Sequence, residues 1–419
     1  MSEVKMLHCA IPGGHIVLGE GAAADGKRLL AGRAHLLTGA PADLPREGER
    51  DIYELASRLA SLQAQVASRF VAREELALAT ACAIASGEHL FVLSPPGAAK
   101  SAFLRSFAEG IGGTFFRVVL NPDIPREALF GAIDPRGLRE GRWRRNWDGL
   151  ATCHLALLDE VFKASPQVLN MMLDALEERR VSAGGEEAQI PLLAAMAASN
   201  EAPEEPELRA LYDRLLVRLS VGYVQEPGAF QRLLLADAGA TAISPVMTAE
   251  EAMLLAAAVE ALAAAPPPEV VEALSDIWAE MRDRAISDRR WRRSLKVAVA
   301  HALLRGKERP EAVDLSSLRW VLWHDPREEK EVRDLVLGMT DPAAGKVLDL
   351  EALLADLLRR ADSLPAAAPV EEKTRLLRDA RRLREEAAAL LPDAGPHRER
   401  VEAVRQQAQA LVERILEGV

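Results

Sequence analysis

The chain has 419 residues, of which 49% are apolar, 4% aromatic and 27% charged, with a formal net charge of −11 at pH 7. That length exceeds one ordinary core, so two or three domains are expected. The excess of Ala and Leu over aromatics favours packed helices over β-sandwiches. The acidic balance argues against a broad basic surface for duplex DNA. Cys9, Cys82 and Cys153 have no metal or redox spacing and read as reduced thiols of a cytoplasmic protein. The histidines form no zinc motif. No charged-then-apolar leader opens the chain, and apolar runs such as 252–265, interrupted by Glu260, are too short for a membrane span.

Residues 1–48 are rich in Gly, Ala and Pro and read as an N-terminal extension of unknown fold, with short apolar runs at 15–18 and 35–37 that suit strands. The segment holds a decoy. Gly21-Ala-Ala-Ala-Asp-Gly26-Lys27-Arg28 fits the phosphate-loop pattern G-x-x-x-x-G-K, but Arg28 stands where Ser or Thr must bind the metal. No acidic strand follows at a useful distance, so a surface loop is expected. Residues 51–86 read as two helices. Leu55, Leu59, Leu62, Val66 and Phe70 recur at three and four, and Leu76, Ala79, Thr80 and Ala83 mark the second inner face before Gly87.

The stretch 90–101, LFVLSPPGAAKS, reads as an apolar strand, a Pro- and Gly-rich turn and a helix start. Ser94-Pro-Pro96-Gly97-Ala98-Ala99-Lys100-Ser101 fits G-x-x-x-x-G-K-[ST], except that Ser94 and Ala99 replace the glycines. Backbone N–H groups around Gly97 and the helix N-terminus suit phosphate oxygens. Lys100 suits the β- and γ-phosphates, and the Ser101 hydroxyl suits Mg²⁺.

A helix to about 110, a strand over 114–120, Leu129-Phe130-Gly131 and a segment 134–149 follow. An apolar strand over 154–158 then ends in Asp159-Glu160. Asp159 at a strand end suits Mg²⁺ through water, and Glu160 suits the water that attacks a γ-phosphate. A lone apolar-Asp-Glu run is also a common helix start. A helix over 165–179 and a hairpin over 181–190 precede a buried strand, 192–199. Asn200 at its end either orients the water or caps a turn.

Arg214 and Arg218, four apart, share a face if helical, and are either surface charges or an arginine finger. Pro227 marks a boundary, and 230–325 is helical with a break at 266–268. Arg289, in a first turn capped by Ser287 or Asp288, either reaches a nucleotide from a lid or belongs to a solvated basic cluster. Charged helices over 331–337, 349–364, 371–391 and 397–416 suit a hairpin or small bundle.

Taken together, SPPGAAKS at 94–101, LFG at 129–131, LALLDEVFKASPQVLN at 155–170, AASNEAPE at 197–204, LYDRLLVRL at 211–219 and SDRRW at 287–291 resemble the MoxR branch of the AAA+ ATPases, most closely the RavA-like group. The resemblance covers about 50–325. It implies an α/β fold: an AAA+ P-loop core with a parallel sheet (49–225), a helical lid (226–325) and a C-terminal helical bundle (326–419). It implies ATP held by Pro96, Gly97, Ala98, Ala99, Lys100, Ser101 and Phe103, with Ser101 and Asp159 on Mg²⁺ and Glu160 as base. Asn200 would be sensor 1 and Arg289 sensor 2, with Arg214, ahead of Arg218, as the finger. It further implies a homo-oligomeric ring, usually a hexamer, often working with a von Willebrand A-domain partner whose metal site would dock on the ring. Segments 134–149 and 181–190 match the family's insert hairpins. Residues 1–48 match nothing recognised, and the tail leaves no room for the β-rich domain that RavA-like proteins insert among their C-terminal helices.

The first functional reading is an ATP-driven remodeller of a protein client or metal-cofactor assembly. The second is a nucleic-acid motor that uses the basic run 142–145 with Trp143 and Trp147; the net charge opposes it. The third is a scaffold that assembles on ATP without hydrolysis, which the Asp159-Glu160 pair opposes.

Overall fold

The computed structural model describes residues 7–12, 14–18, 21–22, 28–29, 34–38, 48–141, 144–183, 186–202, 208–225, 227–235, 243–364 and 369–417. The chain forms two compact units, 1–223 with 238–329, and 224–237 with 330–419.

The first unit opens with β1 (Leu7–Ile11), β2 (Gly14–Leu18), β3 (Gly21–Ala22), β4 (Arg28–Leu29) and β5 (Ala34–Thr38). β1, β2 and β5 make an antiparallel sheet in that order, so both apolar runs are strands, and β3 pairs with β4. Of the decoy, Gly21, Ala22 and Arg28 lie on these two strands, and residues 23–27 lie outside the described residues.

Helix α1 (Ile52–Arg69) starts where Asp51 accepts the Tyr53 N–H. Helix α2 (Glu74–Ser86) stops at Gly87, left-handed at φ +66°. Then come β6 (Leu90–Leu93), α3 (Lys100–Gly110), β7 (Phe115–Val119), α4 (Glu127–Phe130), α5 (Pro135–Arg139), β8 (Leu155–Asp159), α6 (Pro166–Glu178), β9 (Arg180–Ala183), β10 (Glu186–Gln189), β11 (Ala194–Ser199), α7 (Arg209–Arg214) and β12 (Val217–Ser220). β9 and β10 form the expected hairpin, with Ala183 opposite Glu186.

Strands β12, β6, β11, β8 and β7, in that spatial order, form one sheet in which every neighbouring pair is parallel. Parallel strands covered on both faces read as unbroken apolar runs; Leu155 to Leu158 and Ala194 to Ala198 are fully buried. The C-terminal ends of β6, β11 and β8 share one edge, where α/β sheets build their sites. Gly131, at φ +89°, closes α4; a Cβ there would stand 1.9 Å from the Asn146 carbonyl oxygen, so this turn admits only glycine.

Helix α8 (Pro227–Leu235) belongs to the second unit. Within the first unit follow α9 (Ala249–Ala263), α10 (Pro268–Met281), α11 (Asp288–Leu304) and a 3₁₀ stretch, Ala312–Trp320. Thr248 and Glu251 cap α9 reciprocally. Buried Asp314 ties α11 to the 3₁₀ stretch through His301 (2.9 Å) and Arg305 (2.8 Å). No single helix among the described residues is long and apolar enough to cross a membrane.

The second unit comprises α8, α12 (Glu329–Thr340, from Lys330), α13 (Pro342–Asp362), α14 (Val370–Leu390) and α15 (Arg398–Glu417). Leu354, Leu357, Leu376, Leu383, Ala387, Val401 and Leu411 share the core of the last three, the expected small bundle. The proline at 227 suggested that α8 begins the lid. It groups instead with the C-terminal helices: Gly228 and Arg232 line a cavity of about 380 Å³ with Leu358, Asp362, Leu411 and Arg414.

Candidate nucleotide site

Strand β6 delivers the phosphate loop, and the Ser94 N–H donates to the Ser199 carbonyl (2.9 Å) as the loop leaves the sheet beside the end of β11. Gly97 (φ +82°) and Ala99 (φ +58°) are left-handed. Nothing lies within 4 Å of where a Gly97 Cβ would point, so the backbone is open to an approaching oxyanion. Ala99 stands at the second glycine of the pattern and keeps a conformation that costs an L-residue about 1–2 kcal/mol. Lys100 and Ser101 open α3, whose first N–H groups have no intrahelical acceptor and carry the positive end of the helix dipole.

Lys100 Nζ stands 3.2 Å from Asp159 Oδ1, although β11 separates their strands. The two side chains are 10% and 17% exposed. Arg117 on β7 approaches the other Asp159 oxygen at 4.0 Å. Glu160 is left-handed at φ +55°, backbone strain of a kind that gathers at functional sites. Its buried Oε2 has the Lys163 ammonium at 3.1 Å but no hydrogen bond. β11 pairs Ala198 with Asp159 and Ser199 with Leu93, so exposed Asn200 continues the strand between the loop and the acidic pair.

These residues fit a triphosphate with a divalent ion. The cradle is open, a lysine and a carboxylate meet at its mouth, and the buried Ser94 Oγ lacks a partner. Ser101 and Asp159 offer hard oxygen donors. Among the described residues no cluster of three His, Cys, Asp or Glu could cage a metal. The ion's other ligands would be phosphate and water.

Four expectations change. Phe103 is 1% exposed and packs against the rings of Phe70 and Phe107 at centroid distances of 5.4 and 5.5 Å. Its N–H is spent on the Ala99 carbonyl, so Phe103 supports the loop from below and faces the core, not the open cradle. Arg218 is fully buried in β12, donating to the carbonyls of Trp323, Tyr212 (2.8 Å) and Leu215 (3.2 Å). Burial pushes its guanidinium down to about 10. It is an internal strut and cannot extend to a neighbour.

Arg289 is not near the phosphate loop of its own chain. It pairs with Glu177 at 2.7 Å, as Arg214 does. Leu176 beside Glu177 accepts from His89, the residue before β6, so this cluster occupies the sheet edge opposite the loop. Finally, Arg145 is enclosed against the Gly131 carbonyl and 5.8 Å from the Trp147 ring centre, and Trp147 packs on the core. Two members of the basic-aromatic run are thus committed inside the fold; Arg142 and Trp143 lie outside the described residues.

Arg117, Lys163, Tyr223 and Glu177 were not anticipated. Arg117 is the one charge in the apolar strand FFRVV, a signal open to notice. Lys163 follows Glu160 by three. Tyr223, whose hydroxyl donates to the Pro96 carbonyl at 2.9 Å, carries no sequence signal.

Residues 57–264 match a family described as the MoxR domain in the MoxR-vWA-beta-propeller ternary systems, and 269–336 match the AAA lid domain. The chain belongs to the MoxR family of AAA+ ATPases. Its relatives include an uncharacterized protein of Methanocaldococcus jannaschii, 30% identical over 73% of this chain and 80% of the relative. The chaperone MoxR1 of Mycobacterium tuberculosis is 30% identical over 36% of this chain and 41% of its own. A solved Cytophaga hutchinsonii structure superposes with a TM-score of 0.56 at 15% identity, covering 69% of this chain and 94% of that one, a likeness of fold. In this MoxR-family chain the lid match spans α10, α11, the 3₁₀ stretch and most of α12.

Proposed function

We propose that this chain hydrolyses Mg-ATP as a ring, a hexamer in the family's usual form, and uses the cycle to remodel a protein client or a metal-cofactor assembly. The observation that carries the reading is the meeting of Lys100 and Asp159 at 3.2 Å across an intervening strand. A phosphate-loop lysine and a carboxylate brought together at the strand ends are the parts phosphoryl transfer requires. A von Willebrand A-domain partner is supported by the words that describe the matching family, and a remodelling role by the likeness to a chaperone. A cytoplasmic setting is supported by Cys9, Cys82 and Cys153, all buried free thiols whose pKa values burial raises.

In this mechanism the N–H groups from Gly97 to Ser101 hold phosphate oxygens and Lys100 balances their charge. Ser101 and Asp159 would hold Mg²⁺, which when bound would supply positive charge to the phosphate oxygens. Asn200 orients a water, and a Glu160 carboxylate oxygen takes its proton as the water oxygen bonds to the γ-phosphorus. The bond from that phosphorus to the β–γ bridging oxygen breaks, and ADP leaves with the electron pair. Arg214 serves the nucleotide of an adjacent copy. Lys100→Ala is expected to remove Mg-ATP binding in calorimetric titration; affinity equal to wild type would refute the site.

A further inference from the structure

Two arginines of this chain share one carboxylate. Glu177, near the end of α6, accepts from Arg214 Nε on Oε2 at 2.7 Å and pairs through Oε1 with Arg289 at 2.7 Å. Arg214 comes from the end of α7 and Arg289 from the first turn of α11, so three separate elements meet there. The place is fixed from behind. Arg214 donates to the Ala210 carbonyl at 2.7 Å, and fully buried Arg290 donates to the carbonyls of Leu215 (3.1 Å) and Leu216 (3.3 Å). The front is open: the side chains of Arg214, Arg289 and Glu177 are 24%, 37% and 33% exposed. Burial raises the Glu177 pKa, but the hydrogen bond from Arg289 and the Arg214 charge outweigh it and leave the carboxyl below its ordinary range.

The cluster cannot serve its own nucleotide. The phosphate loop follows the far end of β6, while Leu176 and the Leu215–Leu216 carbonyls lie at the near end, where Leu90 pairs with Val217. The length of β6, about 10 Å, and the loops at both ends intervene. One carboxylate between two guanidiniums leaves a net positive charge with spare N–H donors, a surface suited to a polyanion.

We propose that Glu177 is a positioning residue that holds Arg214 and Arg289 as one paired donor edge for the triphosphate seated on a second copy of this chain. Without it the two guanidiniums repel and leave their shared geometry. The inference rests on the ring reading above and adds both Arg289 and Glu177 to the interface.

The test measures Mg-ATP affinity and turnover for full-length Glu177→Ala and the near-isosteric Glu177→Gln, alone and mixed with Lys100→Ala subunits. The expected result is at least a tenfold loss of kcat with Mg-ATP Kd within twofold of wild type. Mixing should recover activity, because a Lys100→Ala neighbour brings an intact cluster to a working cradle. Wild-type turnover in both variants would overturn the proposal. So would a loss that mixing leaves unrescued while Arg214→Ala is rescued, which would make Glu177 only a structural support. Failure of Arg214→Ala itself to complement Lys100→Ala would remove the action across subunits, and this proposal with it.

Discussion

Ala99 and Glu160 both carry a Cβ into left-handed backbone, at φ +58° and +55°. Ala99→Gly keeps the loop geometry and removes its steric cost, so stability should rise by about 1 kcal/mol. Thermal unfolding measures this; a fall in midpoint would mean that the loop is not strained there. His89 gives a pH dependence. Its Nδ1 accepts from the Ala195 N–H (3.0 Å), and its Nε2 faces the Leu176 carbonyl (2.8 Å) and the Arg179 guanidinium. Burial first, then the charge of Arg179, hold its pKa well below the ordinary 6.5. The unfolded chain therefore takes up the proton first as pH falls. This stabilisation is complete above pH 6.5 and declines by about 1.4 kcal/mol per unit below it until the folded ring also titrates. Midpoints at pH 7.5 and 5.5 should show a drop that His89→Gln reduces, and an undiminished drop would assign it to other groups. At this scale contiguity decided what was legible. SPPGAAKS is one run, so its turn and helix start could be read directly, whereas Phe103 stood beside the motif yet turns its ring beneath α3.

Elements explain the two arginines that sequence spacing grouped together. Arg214 and Arg218 share a face only if one helix holds both. Helix α7 ends at Arg214 and β12 begins at Val217, so the second arginine points inward from a strand and the first stays at a helix end. Arg218→Ala strands the carbonyls of Tyr212, Leu215 and Trp323 and should cost about 3 kcal/mol or more. Denaturant unfolding reads that loss; a fully stable variant with impaired turnover would reinstate Arg218 as a finger. Strands β6, β7, β8 and β11 were legible to within two residues, because fully buried parallel strands leave unbroken apolar runs, whereas β12, which its sequence carried on to about Val224, ends at Ser220. The face that Arg289 presents was not legible. Its helix start and Ser287 cap could be read, but the docking of α11 on the turn before β12 is a long-range event with no local signature.

At the scale of the molecule, the order of strands turns scattered motifs into one site. Loop and acidic pair are far apart in sequence, and only the order β6-β11-β8 brings Lys100 to Asp159 with Asn200 between their strands. The unit boundary was less legible: Pro227 marks a break, but the cavity shared with α13 and α15 assigns α8 to the C-terminal helices. Glu160 as the proton acceptor of ATP hydrolysis is tested most directly by comparing Mg-ATP binding and phosphate release for Glu160→Gln and wild type. Binding is expected within twofold of wild type and turnover lower by at least a hundredfold, because the triphosphate seat is intact and the proton acceptor is gone. Turnover equal to wild type would contradict it, since water would then be activated without the carboxylate at the end of β8.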